Sequence, residues 1–370
     1  MVALSVMAHG RSRPVSAIAG TVLGAILSLG LVGGPSPVAA TGPTLAQMIG
    51  QKLIVRMDGT TPTASLLARI RAGQVGGVIL FGSNITTRAA LVALTKQLHA
   101  AAAAGGQPRL LIAVDQEGGS IRRIPWAPPT LSPPQMGQLG STSIARGQGV
   151  QTGAALKALG IDVDFAPVAD VPASTSSFLF RQGRTWSFSA TVTTNLANAF
   201  SSGLESAGEI PSLKHFPGLG YATANTDAAV VSIRASGTAL TAGLLPYRAA
   251  VANRIPLIML SNATYSAYDP AAAAGWSPGI NTTLLRGTLG FTGVTITDAL
   301  DGTAAARGYT TSHLAYRAAR AGTDMLLITG SEATSRDVYA TLLAEARAGS
   351  IPLAGLRASY SRILALKRAD

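Results

Sequence analysis

Short apolar runs alternate along this chain with longer, Ala-rich stretches whose apolar positions recur at helical spacing. The runs lie at residues 53–55 (L-I-V), 76–81 (G-G-V-I-L-F), 110–114 (L-L-I-A-V) and 163–168 (V-D-F-A-P-V). Four more follow at 211–213 (P-S-L), 256–260 (P-L-I-M-L), 294–297 (V-T-I-T) and 325–328 (M-L-L-I). Helical patterns occupy residues 64–72, 87–104, 141–159 and 190–207, and another at 353–367 closes the chain. Runs of this length read as strands, and their continuous apolar character predicts a parallel sheet covered on both faces. Eight such units predict an α/β fold, a TIM (β/α)8-type barrel rather than an open doubly wound sheet. The Pro-rich stretch 125–134 (P-W-A-P-P-T-L-S-P-P) reads as a loop insertion. One domain is expected, from residue 41 to residue 370.

The first 40 residues break the pattern. Arg11 and Arg13 supply a positive segment, residues 14–34 are uncharged and rich in Ala, Leu, Val and Gly, and Val38-Ala39-Ala40 presents small residues. This predicts a signal peptide over residues 1–40, cleaved after Ala40, and therefore a secreted or envelope-associated protein. An uncleaved membrane anchor is the rival reading, because the apolar run approaches spanning length. The glycines, Pro35 and Pro37 favour cleavage.

Composition narrows the chemistry. Of 370 residues, 47% are hydrophobic and 12% charged, enough apolar material for a sizeable core. There is no cysteine, which excludes disulfides, thiolate metal sites, cysteine nucleophiles and lipoprotein attachment. Removing Arg11 and Arg13 from the 29 basic residues leaves 27 against 17 acidic, a net +10 that would favour anionic wall polymers or membrane surfaces. The Lys and Arg are dispersed rather than clustered with aromatics, which argues against nucleic acid as a partner.

Polar residues stand at the ends of several predicted strands: Asp115, Asp170, Lys214 with His215, Ser261 with Asn262, and Asp298. In a TIM barrel these positions converge on the C-terminal face, where active sites lie. A single such residue could be a helix cap, and the Lys-His pair alone could be an ion pair under a loop. Five strands delivering carboxylates, a lysine, a histidine and an amide to one rim suit a polyhydroxylated ligand, since carboxylates accept from hydroxyls while Lys and His donate. Two carboxylates on one rim also suggest glycoside hydrolysis. No metal site or cofactor is expected, because the histidines lack ligand spacing.

Five motifs carry a resemblance. Residues 76–85 (G-G-V-I-L-F-G-S-N-I), 114–119 (V-D-Q-E-G-G), 165–171 (F-A-P-V-A-D-V), 214–218 (K-H-F-P-G) and 290–298 (G-F-T-G-V-T-I-T-D) occur in this order. The chain resembles family 3 glycoside hydrolases, in the single-barrel branch typified by bacterial β-N-acetylglucosaminidases. The resemblance implies Asp298 as the nucleophile and Asp115, Arg123, Lys214 and His215 as sugar-binding residues. Arg184, in G-R-T-W-S-F, matches a further sugar-binding arginine only with a shift in position. One motif departs. The family commonly reads K-H-F-P-G-H-G and continues to Asp-Ser-His, whose histidine is the acid/base. Here Leu219 replaces the first histidine, and the loop arrives two residues late at Asp227-Ala228-Ala229. Asp227 then becomes the candidate proton donor. Two functions follow: an exported β-N-acetylhexosaminidase-like glycosidase acting on carbohydrate, with cell-wall glycan as the family's implication, or a non-catalytic glycan-binding protein. A phosphorylase is a third.

Overall fold

The computed structural model describes residues 42–368; the predicted signal peptide lies outside the described residues. Eight parallel strands form one sheet: β1 Leu53–Arg56, β2 Gly77–Leu80, β3 Leu111–Val114, β4 Val163–Asp164, β5 Ile210–Phe216, β6 Leu257–Leu260, β7 Val294–Thr297 and β8 Leu326–Ile328. Neighbours follow chain order from β1 to β7, and β8 pairs β1 with Leu53 opposite Leu326. The remaining seam, β7 to β8, holds a single bridge between Ile296 and Met325, flanked by Met325 N–H to Thr295 O (2.8 Å) and Thr297 N–H to Met325 O (3.1 Å). The sheet thus closes on itself as the expected barrel. Among the described residues, no helix is long and apolar enough to cross a membrane.

Strand alternation sorts the apolar residues into two sets. Ile54, Ile79, Leu111, Ala113, Val163, Ile210, Leu257, Met259, Ile296 and Leu327 belong to one buried cluster inside the barrel. Their neighbours, such as Leu53, Val55, Val78, Leu80, Ile112 and Val114, pack with apolar faces of the surrounding helices. The strands are therefore buried on both sides, which is why they read as largely apolar runs without alternation. The helices begin where the sequence supplies a cap. Thr63, Thr87, Ser141, Ser189, Ser236, Thr310 and Ser331 each accept a hydrogen bond from the amide three residues on.

Two elements differ from expectation. The strand predicted over 211–213 extends to Phe216, so Lys214 and His215 lie within β5 and not beyond it. The bridge from Val168 to Lys214 and the Ser261 N–H bond to Phe216 O (2.8 Å) prolong the ladder, through a register shift between Leu213 and Phe216. Conversely, the run at 163–168 is regular only over β4. A hairpin (Gln116–Gly118 with Ile121–Arg122) and a three-stranded sheet (Ser232–Ile233, Thr264–Tyr265, Asp269–Ala273) add rim structure that the apolar pattern did not signal.

The last helix, Leu353–Arg368, plugs the bottom of the barrel. Its Ile363 and Leu366 join the interior cluster, and Lys367 Nζ donates to Gln51 Oε1 (2.6 Å) and Gly76 O (2.7 Å). Beside it, the buried Asp324 takes hydrogen bonds from Arg286 Nη2 (2.6 Å), Ser359 Oγ (2.7 Å), Arg362 Nη2 (2.6 Å) and Thr295 N–H (2.9 Å). Burial opposes its charge, but Arg362 and Arg286 outweigh that and hold its pKa below the usual carboxylate value. Asp324 thereby ties the last helix to both strands of the β7–β8 seam. Its folded-state pKa is depressed, so its contribution is present above the ordinary aspartate range and lost as pH falls. Asp324→Ala should lower the unfolding free energy at neutral pH by about 3–5 kcal/mol, as expected when a buried charge network loses its anion. Urea denaturation measures this, and a loss near zero would remove Asp324 from the closure.

Candidate active site

The C-terminal ends of the strands open into a pocket of about 160 Å³. All seven residues singled out from the sequence line it: Asp115, Arg123, Arg184, Lys214, His215, Asp227 and Asp298. Other strand-end residues do not reach it. Ser261 is buried, and its Oγ accepts from Ala263 N–H (2.9 Å) and Tyr265 Oη (3.1 Å). Asn262 Nδ2 donates to Ala299 O (2.7 Å). These two fasten the rim.

Lys214 and His215 point into the pocket because Asp170 anchors the end of β5. Its Oδ2 accepts from His215 N–H (3.2 Å) and from His215 Nδ1 (2.8 Å), while Oδ1 accepts from Leu219 N–H (2.5 Å). A carboxylate can only accept, so Nδ1 carries a proton and Nε2 is the ring nitrogen left toward the pocket. Nε2 lies 4.0 Å from Asp298 Oδ2. The loop after β5 packs tightly at Gly220, where a Cβ would fall 1.7 Å from Val171 O.

One wall is a chain of charges. Lys214 Nζ sits 2.7 Å from both Asp115 Oδ1 and Glu117 Oε1. Arg184 grips Glu117 with two hydrogen bonds, Nε to Oε2 and Nη2 to Oε1, each 2.8 Å. Arg123 Nη2 stands 3.9 Å from Asp115 Oδ2 and lies over the Phe81 ring. Burial would raise the Glu117 pKa, yet Arg184 and Lys214 bring it down to about 2. Burial likewise works against the Lys214 charge, and Asp115 and Glu117 hold its pKa above the ordinary lysine value. Beneath them the buried Asp164 is pushed up to about 8, mainly by burial.

Glu117 was not among the expected site residues, although it stands two positions after Asp115 in the V-D-Q-E-G-G run. The same-face spacing of that stretch was the available signal. In sequence Asp170 reads only as a strand-end carboxylate, and its position behind His215 depends on the three-dimensional path of residues 215–219.

The opposite side carries the other two carboxylates, and among the described residues neither forms an ion pair with a lysine or arginine. Asp298 follows β7, and its Oδ1 accepts from Ala299 N–H (2.8 Å). Asp227 belongs to the loop after β5. Its N–H bonds Asn225 Oδ1 (3.0 Å), and Ala228 and Ala229 N–H return to Asn225 O (3.2 and 3.0 Å), a compact turn. The residue is exposed, yet it lines the pocket, and it makes no ion pair among the described residues. Partial burial of its carboxyl and then the Asp298 charge push its pKa up to about 7, against the pull of His215 and Arg184. Two carboxyl groups in one pocket, one of them with a raised proton affinity, beside a cradle of donors and acceptors, can act as nucleophile and acid on a sugar.

The glycosyl hydrolase family 3 N-terminal domain matches residues 44–366, nearly the whole described chain. The chain belongs to glycosyl hydrolase family 3. It is 33% identical over 329 residues to an uncharacterized secreted glycosyl hydrolase of Arthroderma benhamiae, covering 87% of this chain and 93% of that protein. It is 34% identical over 298 residues to the beta-hexosaminidase of Nitrosomonas eutropha, covering 78% and 84%. Among solved structures, the beta-N-acetylhexosaminidase of Beutenbergia cavernae superposes with a TM-score of 0.81 at 32% identity, covering 88% of this chain and 99% of that one. The family 3 beta-N-acetylglucosaminidase of a Paenibacillus species gives 0.85 at 28% identity, and this chain spans 63% of its length. The family 3 resemblance and the barrel expected from sequence are both borne out.

In this family 3 barrel Glu117 is ionised and enclosed, so its partners are indispensable to it. Arg184→Ala should cost about 3–5 kcal/mol at pH 7, because it strands a buried carboxylate. Glu117 has a depressed folded-state pKa, so its stabilising effect is present above the ordinary 4.5 and lost toward about 2. The gap between variant and wild type should therefore narrow as urea titrations move from pH 5 toward about 2. A gap independent of pH would show that Arg184 does not act through Glu117.

Proposed function

We propose that this protein is an exported, retaining β-N-acetylhexosaminidase-like glycosidase that removes a terminal sugar. The observation carrying the proposal is the division of the pocket's four carboxylates. Asp115 and Glu117 are neutralised by Lys214, Arg184 and Arg123, while among the described residues no lysine or arginine pairs with Asp298 or Asp227, and His215 alone stands 4.0 Å from Asp298. Paired carboxylates hold a sugar, and unpaired ones react with it. Asp298 attacks the anomeric carbon and forms the glycosyl-enzyme; Asp227, protonated near neutrality, gives its proton to the leaving oxygen and then activates water. Asp115, Lys214, Arg123 and Arg184 grip ring hydroxyls, and His215, held by Asp170, donates or accepts beside the nucleophile. The pocket volume lies below the ~300–1,000 Å³ of drug-sized sites, which suits one ring at a chain end. Names of the relatives support N-acetylhexosamine as the sugar, and the net +10 charge supports wall polymers as its source. The N-terminal pattern and the relative named as secreted support export.

The test is turnover of aryl β-glycosides by the purified chain starting at residue 41. A 2-fluoro glycoside should label Asp298, as read by peptide mass spectrometry, and Asp298→Ala should abolish turnover of every substrate. Asp227→Asn should slow substrates with poor leaving groups by about 10²–10⁴-fold and activated aryl glycosides far less. Because Asp227 acts in its protonated form, wild-type rates on poor leaving groups should fall as pH rises through about 7. Label on another residue would overturn the nucleophile. Sugar binding without turnover of any substrate would make this a glycan-binding protein, the reading that Ala229 in place of the family's histidine favours.

The cradle is tested separately by calorimetry with the free sugar. Asp115→Ala and Lys214→Ala should each weaken binding by about 1.5–3 kcal/mol through lost charge-assisted hydrogen bonds. Unchanged affinity in both variants would displace the sugar from this pocket.

A further inference from the structure

The loop bearing Asp227 rests on the helix Leu300–Ala306, which starts two residues after Asp298. The point of contact is Gly302. A Cβ built there would lie 2.4 Å from the Asp227 carbonyl oxygen, 3.1 Å from its carbonyl carbon and 3.1 Å from its Cβ. No side chain fits at that spacing. Glycine is a poor helix former, and position 302 is inside a helix without a turn or a left-handed conformation to require it. What it provides is close approach of the loop.

The surface that receives the loop is fixed. Leu300 and Thr303 are buried on either side of Gly302. Asp301 Oδ2 accepts from Thr329 N–H (2.6 Å) at the end of β8, and Oδ1 accepts from Thr311 Oγ1 (3.0 Å). The helix turn is thus pinned to the barrel, while the loop is held to itself through Asn225. We propose that Gly302 is a positioning residue. Its missing side chain lets the loop seat on the helix that follows Asp298, and so sets the separation of the Asp227 and Asp298 carboxyl groups. Its catalytic consequence rests on the reading of Asp227 as proton donor; the distance it sets does not.

The experiment compares wild type, Gly302→Ala, Asp227→Asn and the double variant on aryl β-glycosides of graded leaving-group ability. A carbon–13 carboxyl titration of Asp227 is run on wild type and Gly302→Ala. Alanine favours the helix and the loop is exposed, so the loop should yield and the thermal midpoint should hold. Gly302→Ala should lose rate on poor leaving groups, about 10²-fold for a displacement near 1 Å, and little on activated ones. The loss should vanish in the Asp227→Asn background, because both changes remove the same interaction. The Asp227 titration should move from about 7 toward the ordinary aspartate range as the carboxyl becomes less buried and moves away from Asp298. An unmoved titration, equal losses on all leaving groups, additivity with Asp227→Asn, or a collapsed thermal midpoint would each overturn the proposal. If Asp227→Asn itself leaves the leaving-group dependence intact, the proton-donor reading fails alone, and the titration still decides whether Gly302 sets the distance.

Discussion

Four carboxylates and three permanent cations share one partly buried pocket, and the way they pair constrains everything around them. A buried carboxylate without a partner is costly, so Glu117 needs both Arg184 and Lys214. Lys214 in turn needs to lie inside β5, where its amine reaches two carboxylates delivered from the end of β3 and the hairpin after it. That arrangement consumes the available positive charge. Asp298 and Asp227 are left without a lysine or arginine partner, and burial, then the Asp298 charge, raises the proton affinity of Asp227. The electrostatics of the reactive side therefore follow from the pairing of the other side.

The scaffold serves this pairing by holding backbone, not by supplying more charge. Asp170 spends its oxygens on the amides and ring of residues 215–219 and never faces the pocket. Gly220 and Gly302 act by absence, letting loops approach a neighbouring strand end and a helix to distances that no Cβ would allow. At the opposite end of the barrel, Asp324 performs for the seam what Lys214 performs for the pocket, with the signs reversed: one anion gathers two arginines.

Much of this was legible in the chain. Strand positions emerged because both faces of each strand are buried, so the runs are largely apolar, with only single buried polar residues such as Asp164, Ser212, Thr295 and Thr297 among them. The seven pocket residues emerged because strand ends in a barrel converge and because five motifs match a known family. What stayed hidden depends on distances between separate elements. Glu117 looks like any acidic residue after a strand until Arg184, 67 positions later, is brought to 2.8 Å. Ser261 and Asn262 occupy strand-end positions as inviting as that of Asp298, and only the path of residues 263–276 turns them toward the rim structure. Lys214 and His215 were expected beyond the strand because polar residues ended the apolar run; they are in the strand, since their partners compensate the burial. Gly302 gives no signal at all in one dimension.

The seam of the barrel also imposes an order on biosynthesis. Lys52, just before β1, donates to Thr323 O, 271 residues away, and β1 pairs with β8 near the very end of the chain. The first strand made must wait for the last one, and the bottom of the barrel stays open until the final helix arrives. Until then both β1 and β7 present unpaired edges, the kind of surface that recruits other strands. Strand pairing at this seam therefore comes last, and until it forms the two edges are the surfaces where another strand could add.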